Sequence, residues 1–373
     1  MKKVLLGTTG LLGTALLAGG LGMATVDTAN AAEINAGGAL DITIGGRGDF
    51  GIRYSDSALR NTAGTTNLSP TPPVSGSAAA REWDFRNDLR LDLRAEGIGD
   101  ATGIAYGFFS RLRSTSGSGD PSNIDGGIIL DQTYVYIGSS EGEFGQVRLG
   151  TQDPVTDLLK ITGAAVARGT GGIDGNMREG ADIRIADSGK ATKAMYLTPV
   201  IAGFQAGADF AFNDDDRGRF TADNFGEQSS VGSVAANWQG EFSGVGLGVY
   251  GGYAYGNAPV NDVDNRSGYQ FGAEASAFGV GVAGSYGRNS RSTGATGISN
   301  FWNVGIGTEL GGVGLSYSFQ FTNQRGGGSN QNHHYVSADT AILPGVTLRG
   351  DIGYVEQRYG DGVDGILEVR TVF

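Results

Sequence analysis

The densest run of ionisable side chains lies between Arg81 and Gly97. Glu82, Asp84, Arg86, Asp88, Arg90, Asp92, Arg94 and Glu96 there occupy every second position. Charges at a spacing of two share one face of an extended strand, because successive side chains point to opposite sides. The alternate positions hold Trp83, Phe85, Leu89, Leu91, Leu93 and Ala95, with Asn87 the single polar interruption. Such a strand separates an aqueous space from an apolar one, and its ionic face can bind and filter charged solutes. Catalytic sets are poorly supplied by comparison. The chain has no Cys, which excludes thiolate metal sites and thiol nucleophiles. His333 and His334 are neighbours in a strand-like stretch, so they point apart and do not converge on one metal. Gly279, Gly281 and Gly284 fit a G-x-G-x-x-G spacing, but no helix follows to receive a dinucleotide. Nothing marks a serine nucleophile, and no enzyme is expected. Asp214, Asp215 and Asp216 offer hard oxygen ligands to Ca²⁺, although a solvated loop or a cation-bridging surface site is the plainer reading. No other cofactor is expected.

The elements that carry these residues follow from composition and period. Of 373 residues, 67 are Gly, a share that costs too much chain entropy for a mostly helical fold. Collagen is excluded because there is no Gly-X-Y period and little Pro. A net charge of −12 argues against nucleic acid as a partner. At the N-terminus, Lys2 and Lys3 precede an uncharged stretch from Val4 to Val26, and Ala29-Asn30-Ala31 supplies small residues around a cleavage point. Residues 1–31 therefore read as a cleaved signal peptide and 32–373 as one exported domain. The exported part holds no apolar stretch long enough for a transmembrane helix, so membrane insertion would require a closed barrel.

Alternating segments recur at 39–54, 82–97, 102–114, 128–138, 144–151, 192–199, 203–213, 229–240, 244–256, 267–278, 279–288, 298–309, 312–323, 332–342, 346–358 and 364–373. Short connections alternate with long polar ones, such as 55–80, 115–127 and 152–191. About sixteen strands joined in that manner predict a transmembrane antiparallel up-and-down β-barrel. Parity then points Arg47, Arg53, Arg86, Arg90, Arg94, Arg111, Arg113 and Arg370 into the lumen. Strands one and sixteen adjoin on closure, so these residues would form one basic wall.

Resemblance to a known family becomes specific at Asp131–Gly150. Tyr134-Val135, Gly142-Glu143-Phe144-Gly145 and Val147-Arg148-Leu149-Gly150 resemble a strand, turn and strand of the Gram-negative general porins. Tyr196, Thr198-Pro199 and Gly203-Phe204 resemble the hairpin that follows in that family. Thr151 departs from it, standing where many members have a basic residue, and the family's Pro-Glu-Phe-Gly-Gly loop tip is absent. The resemblance implies that 152–191 is a long third loop folded into the lumen and that the barrel is a homotrimer. It also implies that Phe373 is the terminal aromatic recognised for assembly. Outer-membrane lipid and lipopolysaccharide would surround the barrel, and small hydrophilic solutes and ions would pass through it.

The third loop brings Asp153, Asp157, Asp174, Glu179, Asp182 and Asp187 as acids opposing the basic wall. Its own Lys160, Arg168, Arg178, Arg184 and Lys190 nearly balance them. The expected function is passive outer-membrane diffusion through a charged constriction. The acid excess of the chain favours weak cation preference, subject to the local charge. A substrate-selective channel is the alternative, and it would call for lumenal aromatics where charged and small residues are expected. A barrel-borne adhesin or outer-membrane enzyme ranks below both.

Overall fold

The computed structural model describes residues 40–56, 59, 82–99, 102–114, 128–139, 142–178, 181, 183–214, 228–257, 265–290, 298–324, 330–357 and 360–373, with the backbone of 32–35. Residues 1–31, the expected signal peptide, and Glu179, Asp182, Asp215 and Asp216 lie outside the described residues. The strands are β1 (Ala32–Asn35), β2 (Asp41–Ser55), β3 (Trp83–Gly99), β4 (Ile104–Ser114), β5 (Ile128–Ser139) and β6 (Gln146–Thr151). After the segment 152–191 come β7 (Thr192–Leu197), β8 (Phe204–Asn213), β9 (Ser229–Phe242), β10 (Val245–Asn257), β11 (Arg266–Ala277) and β12 (Val280–Ser290). The series ends with β13 (Ser299–Leu310), β14 (Val313–Gln324), β15 (Gln331–Leu343), β16 (Val346–Gln357) and β17 (Gly360–Val372).

From β2 to β17 each strand pairs antiparallel with the next, and β17 returns to β2, which closes a barrel of sixteen strands. The closing register sets Asp364 opposite Ser55 and Val372 opposite Arg47. Beyond it, Phe373 and Gly46 exchange backbone hydrogen bonds of 2.8 and 3.0 Å. The short β1 pairs with Asp41–Ile44 of β2, the part of that edge which β17 leaves uncovered. Several strand ends differ from the sequence-based expectation. The last strand begins at Gly360, not at 364, and only residues 358–359 separate it from β16.

One rim is made of tight turns. Ser243-Gly244, Phe278-Gly279 and Gly311-Gly312 all have positive φ at both positions, between 52° and 81°. That conformation is required of a two-residue hairpin whose twist matches its strands. Glycine supplies it without strain, whereas Phe278 adopts it at an exposed tip.

The burial pattern is inverted relative to a water-soluble fold. On β3, Phe85 and Leu89 are 69% and 47% exposed, while Arg86 and Asp88 between them are 5% and 4% exposed. Outward aromatics gather near both rims. Tyr54 and Trp83, Phe210 and Phe212, and Trp302 and Phe321 pack beside the long connections. Tyr106, Tyr196, Phe204 and Phe242 stand near the short turns. Aliphatic residues such as Val135, Leu149, Val304 and Ile306 lie between. An apolar band between two aromatic girdles suits a lipid bilayer.

Candidate functional site

The inner wall across β16, β17, β2, β3 and β4 is ionic, and strand register decides who meets whom. Arg370 reaches Asp49 with two nitrogens, Nε at 2.7 Å and Nη2 at 2.9 Å. Arg47 lies 3.5 Å from the same carboxylate. Asp88 takes Arg86 at 2.9 Å, Arg113 at 3.0 Å and Arg90 at 3.8 Å. Glu368 takes Arg86 at 2.8 Å and Arg349 at 3.5 Å. Asp92 holds Arg111 in a two-pronged pair at 2.7 Å. Seven arginines thus share four carboxylates. Two more engage rings: Arg94 lies 5.8 Å from the Phe109 centroid and Arg148 5.3 Å from that of Tyr134. Arg53 Nε is buried without a hydrogen-bond partner among the described residues.

The segment 152–191 leaves the wall between the six-residue strands β6 and β7 and packs against inward side chains of the opposite wall. A β-bulge on β5 secures both of its ends. Arg111 pairs with Gln132 and Leu112 with Leu130, so Asp131 is the extra residue, and Asp131 and Gln132 are both buried. Gln132 donates to Asp153 at 2.6 Å, and Lys190 donates to Asp131 at 2.6 Å. Between these ends the backbone is tied to one strand after another. Val155 N–H donates to Asp209 on β8, Gly163 N–H to Asn303 on β13, and Arg168 N–H to Ser316 on β14. Gly169 N–H donates to Asp339 on β15, and Thr170 and Gly172 N–H to Asp351 on β16. Asn176 reaches Glu368 on β17 at 3.0 Å.

Wall glycines make the approach possible. A Cβ on Gly272, Gly305 or Gly307 would stand 2.0–2.1 Å from the carbonyl oxygens of Ile161, Gly163 or Val166. Apolar side chains complete the seam. Ile173, Met177 and Ile183 cluster with Tyr335, Val355, Ile366 and Leu59. Val155, Leu159 and Ile161 cluster with Met195, Leu197, Ala235 and Tyr250.

The acids of the segment are engaged with their own neighbours. Asp157 contacts Lys160 at 2.6 Å and Arg184 at 3.4 Å, and Asp174 contacts Lys160 at 3.5 Å. Burial pushes the Asp157 carboxyl up, but Lys160 and Arg184 outweigh it and hold it below the ordinary carboxylate range. Asp187 accepts from Thr156 at 2.7 Å and from Gly189 N–H at 2.9 Å. Burial nevertheless raises it above that range. Arg178 and Asp174 are exposed.

Strand parity alone would have found Arg148 on β6 and Arg349 on β16, because each stands between two outward residues. Parity likewise sends Tyr134 and Tyr136 inward, opposite Val135 and Ile137. With Phe109 they form a lumenal aromatic group, ring centroids 5.2 and 6.3 Å apart. The lumenal face is therefore not confined to charged and small residues. Parity turns Asp49 and Glu368 inward as well, but their pairing has no local signal, since they meet Arg370 and Arg86 only when the barrel closes.

A closed barrel of sixteen antiparallel strands, apolar outside and ionic within, has the architecture of a membrane-spanning channel. Residues 13–360 match the Gram-negative porins, and the chain belongs to that family. Its fold is shared with solved structures of Rhodopseudomonas blastica porin. A variant of that porin with five substitutions is 13% identical, with a TM-score of 0.61 over 89% of this chain and 100% of the other. A triple mutant of the same porin is 14% identical, with the same TM-score and the same coverage. No curated protein matches the chain in sequence. Family and barrel together fit an outer membrane.

Proposed function

We propose that the protein is a passive outer-membrane diffusion channel for small hydrophilic solutes and ions, with its constriction between segment 152–191 and the arginine wall. The observation that carries this reading is the series of hydrogen bonds from that segment to β8, β13, β14, β15, β16 and β17. A segment held across the interior narrows the aqueous path. Fixed charges beside that path orient dipolar solutes and disfavour apolar ones, which cannot replace the ordered water they displace. Residues 1–31 direct export and are removed. The lipid-side positions Gly46, Gly48, Asn87 and Ser110 on β2–β4 are small or polar and support contact between copies in a homotrimer.

Liposome swelling with neutral sugars of increasing size tests the reading. Rates that fall smoothly with size are expected, whereas rates that saturate for one sugar would favour a substrate-selective channel. That second reading draws its support from the lumenal Phe109, Tyr134 and Tyr136.

A further inference from the structure

We infer that the constriction selects small anions bearing carboxylate or phosphate groups over cations. This inference rests on the channel reading above.

Three arginines stand in register across the inner wall: Arg47 on β2 is directly opposite Arg90 on β3, which is directly opposite Arg113 on β4. Like charges facing each other across strands destabilise a sheet. The carboxylates that could relieve the row are already committed elsewhere. Asp49 is taken by Arg370 at 2.7 Å, which leaves Arg47 at 3.5 Å. Asp88 is taken by Arg86 at 2.9 Å and Arg113 at 3.0 Å, which leaves Arg90 at 3.8 Å. The Nε–H groups of Arg47 and Arg90 are buried and have no hydrogen-bond partner among the described residues. Among pairs at 4.0 Å or closer, seven guanidinium groups meet only four carboxylates.

The segment on the opposite side carries six acids against five bases, so its charges nearly cancel. Its Asp153, Asp157, Asp174 and Asp187 are accompanied by Lys160, Arg168, Arg178, Arg184 and Lys190. Lys160 and Arg184 sit on Asp157, and Lys190 reaches across to Asp131. The net −12 of the chain is carried elsewhere and is screened within about 3 Å in molar salt, whereas groups at a narrow point act on each passing ion. A guanidinium is a planar fork that matches carboxylate and phosphate oxygens two at a time, so the loosely held forks of Arg47 and Arg90 favour such anions. This reverses the weak cation preference that the overall acid excess would give.

The test is the reversal potential of the folded full chain in a planar bilayer under a KCl gradient, followed by addition of inorganic phosphate. Chloride is expected to exceed potassium in permeability by about threefold or more, the preference given by an interaction of about RT at a water-filled constriction. Millimolar phosphate should reduce the chloride current. Arg90→Gln should move the permeability ratio toward one. Arg90→Lys should keep the ratio but weaken the phosphate effect, because the fork is lost while the charge stays. Arg288→Gln, at an outward position of β12, should change neither. Potassium preference in the conducting unaltered protein would overturn the inference and leave the channel reading standing, as would indifference to both phosphate and Arg90→Gln. Absence of any current from folded protein would remove the channel reading and this inference with it.

Discussion

At the scale of single residues, Asp351 illustrates how the interior segment is fixed. Its carboxylate accepts from the Thr170 amide at 2.8 Å, from the Thr170 hydroxyl, and from the Gly172 amide at 3.3 Å. Asp351→Ala would leave these buried donors unpaired, at about 1–3 kcal/mol for each one stranded. The expected result is a barrel that still folds but shows larger single-channel conductance and more current noise. Conductance equal to that of the unaltered protein would show that Asp351 does not hold the segment.

Asp157 and Asp187 predict a pH response. A carboxyl held below its ordinary range in the folded state contributes stability above that range and loses it as pH falls through the lowered value, which is the case of Asp157. Asp187 is raised, so its charge opposes the fold at neutral pH, and the opposition fades as pH falls through its raised value. Current noise should therefore be lowest in the mildly acidic window between the two titrations and rise again in stronger acid. Asp157→Asn should abolish the rise. Noise that is independent of pH would contradict this assignment.

These residues differ in how far the sequence reveals them. The arginines were legible because alternation along one strand is a local signal. Asp88 and Asp92 stand in the same alternation, whereas the pairings of Asp49 with Arg370 and of Glu368 with Arg86 were not legible, because they form only through the register that closes the barrel.

At the scale of elements, the seam between segment and wall depends on glycine. Gly305→Val would drive a side chain into the Gly163 carbonyl and should displace the segment, altering conductance while strand content by circular dichroism is kept. Gly251→Val is the control, because a Cβ there meets only the edge of Phe271 at 3.5 Å. The closing strand gives a second prediction. Deleting Phe373 removes two backbone bonds to Gly46 and a ring that lies over it, so the yield of folded barrel should fall severalfold. An undiminished yield would leave the terminal residue without a part in closure.

Elements were read with unequal success, for physical reasons. Alternation marks the middle of a strand well. It fades at the rims, where both faces meet water or headgroups, and there the boundaries of β17 and the tip at Phe278-Gly279 were displaced. The β5 bulge at Asp131 breaks the period by one residue, and nothing in the local sequence marks it. The hydrogen-bonded course of 152–191 is set by contacts with strands up to 192 residues away, of which composition says nothing.

At the scale of the whole molecule, closure turns a set of two-faced strands into an aqueous interior with an apolar exterior. Glycine abundance follows from the same architecture, since tight hairpins and close backbone approaches both require it. The net charge predicts little, because the row of facing arginines on one wall is hidden within an acidic total. If contact between copies runs through Gly46, Gly48, Asn87 and Ser110, then Gly48→Trp should shift cross-linked trimers toward monomers without loss of strand content. Trimers that persist would place the contact on another face.

The central claim is that this barrel encloses a continuous, charged, water-filled path. Single-channel recording of the purified, folded protein in a planar bilayer tests it most directly. Discrete steps of steady ionic current are predicted, whereas no current from protein whose barrel is verified by circular dichroism would contradict the account.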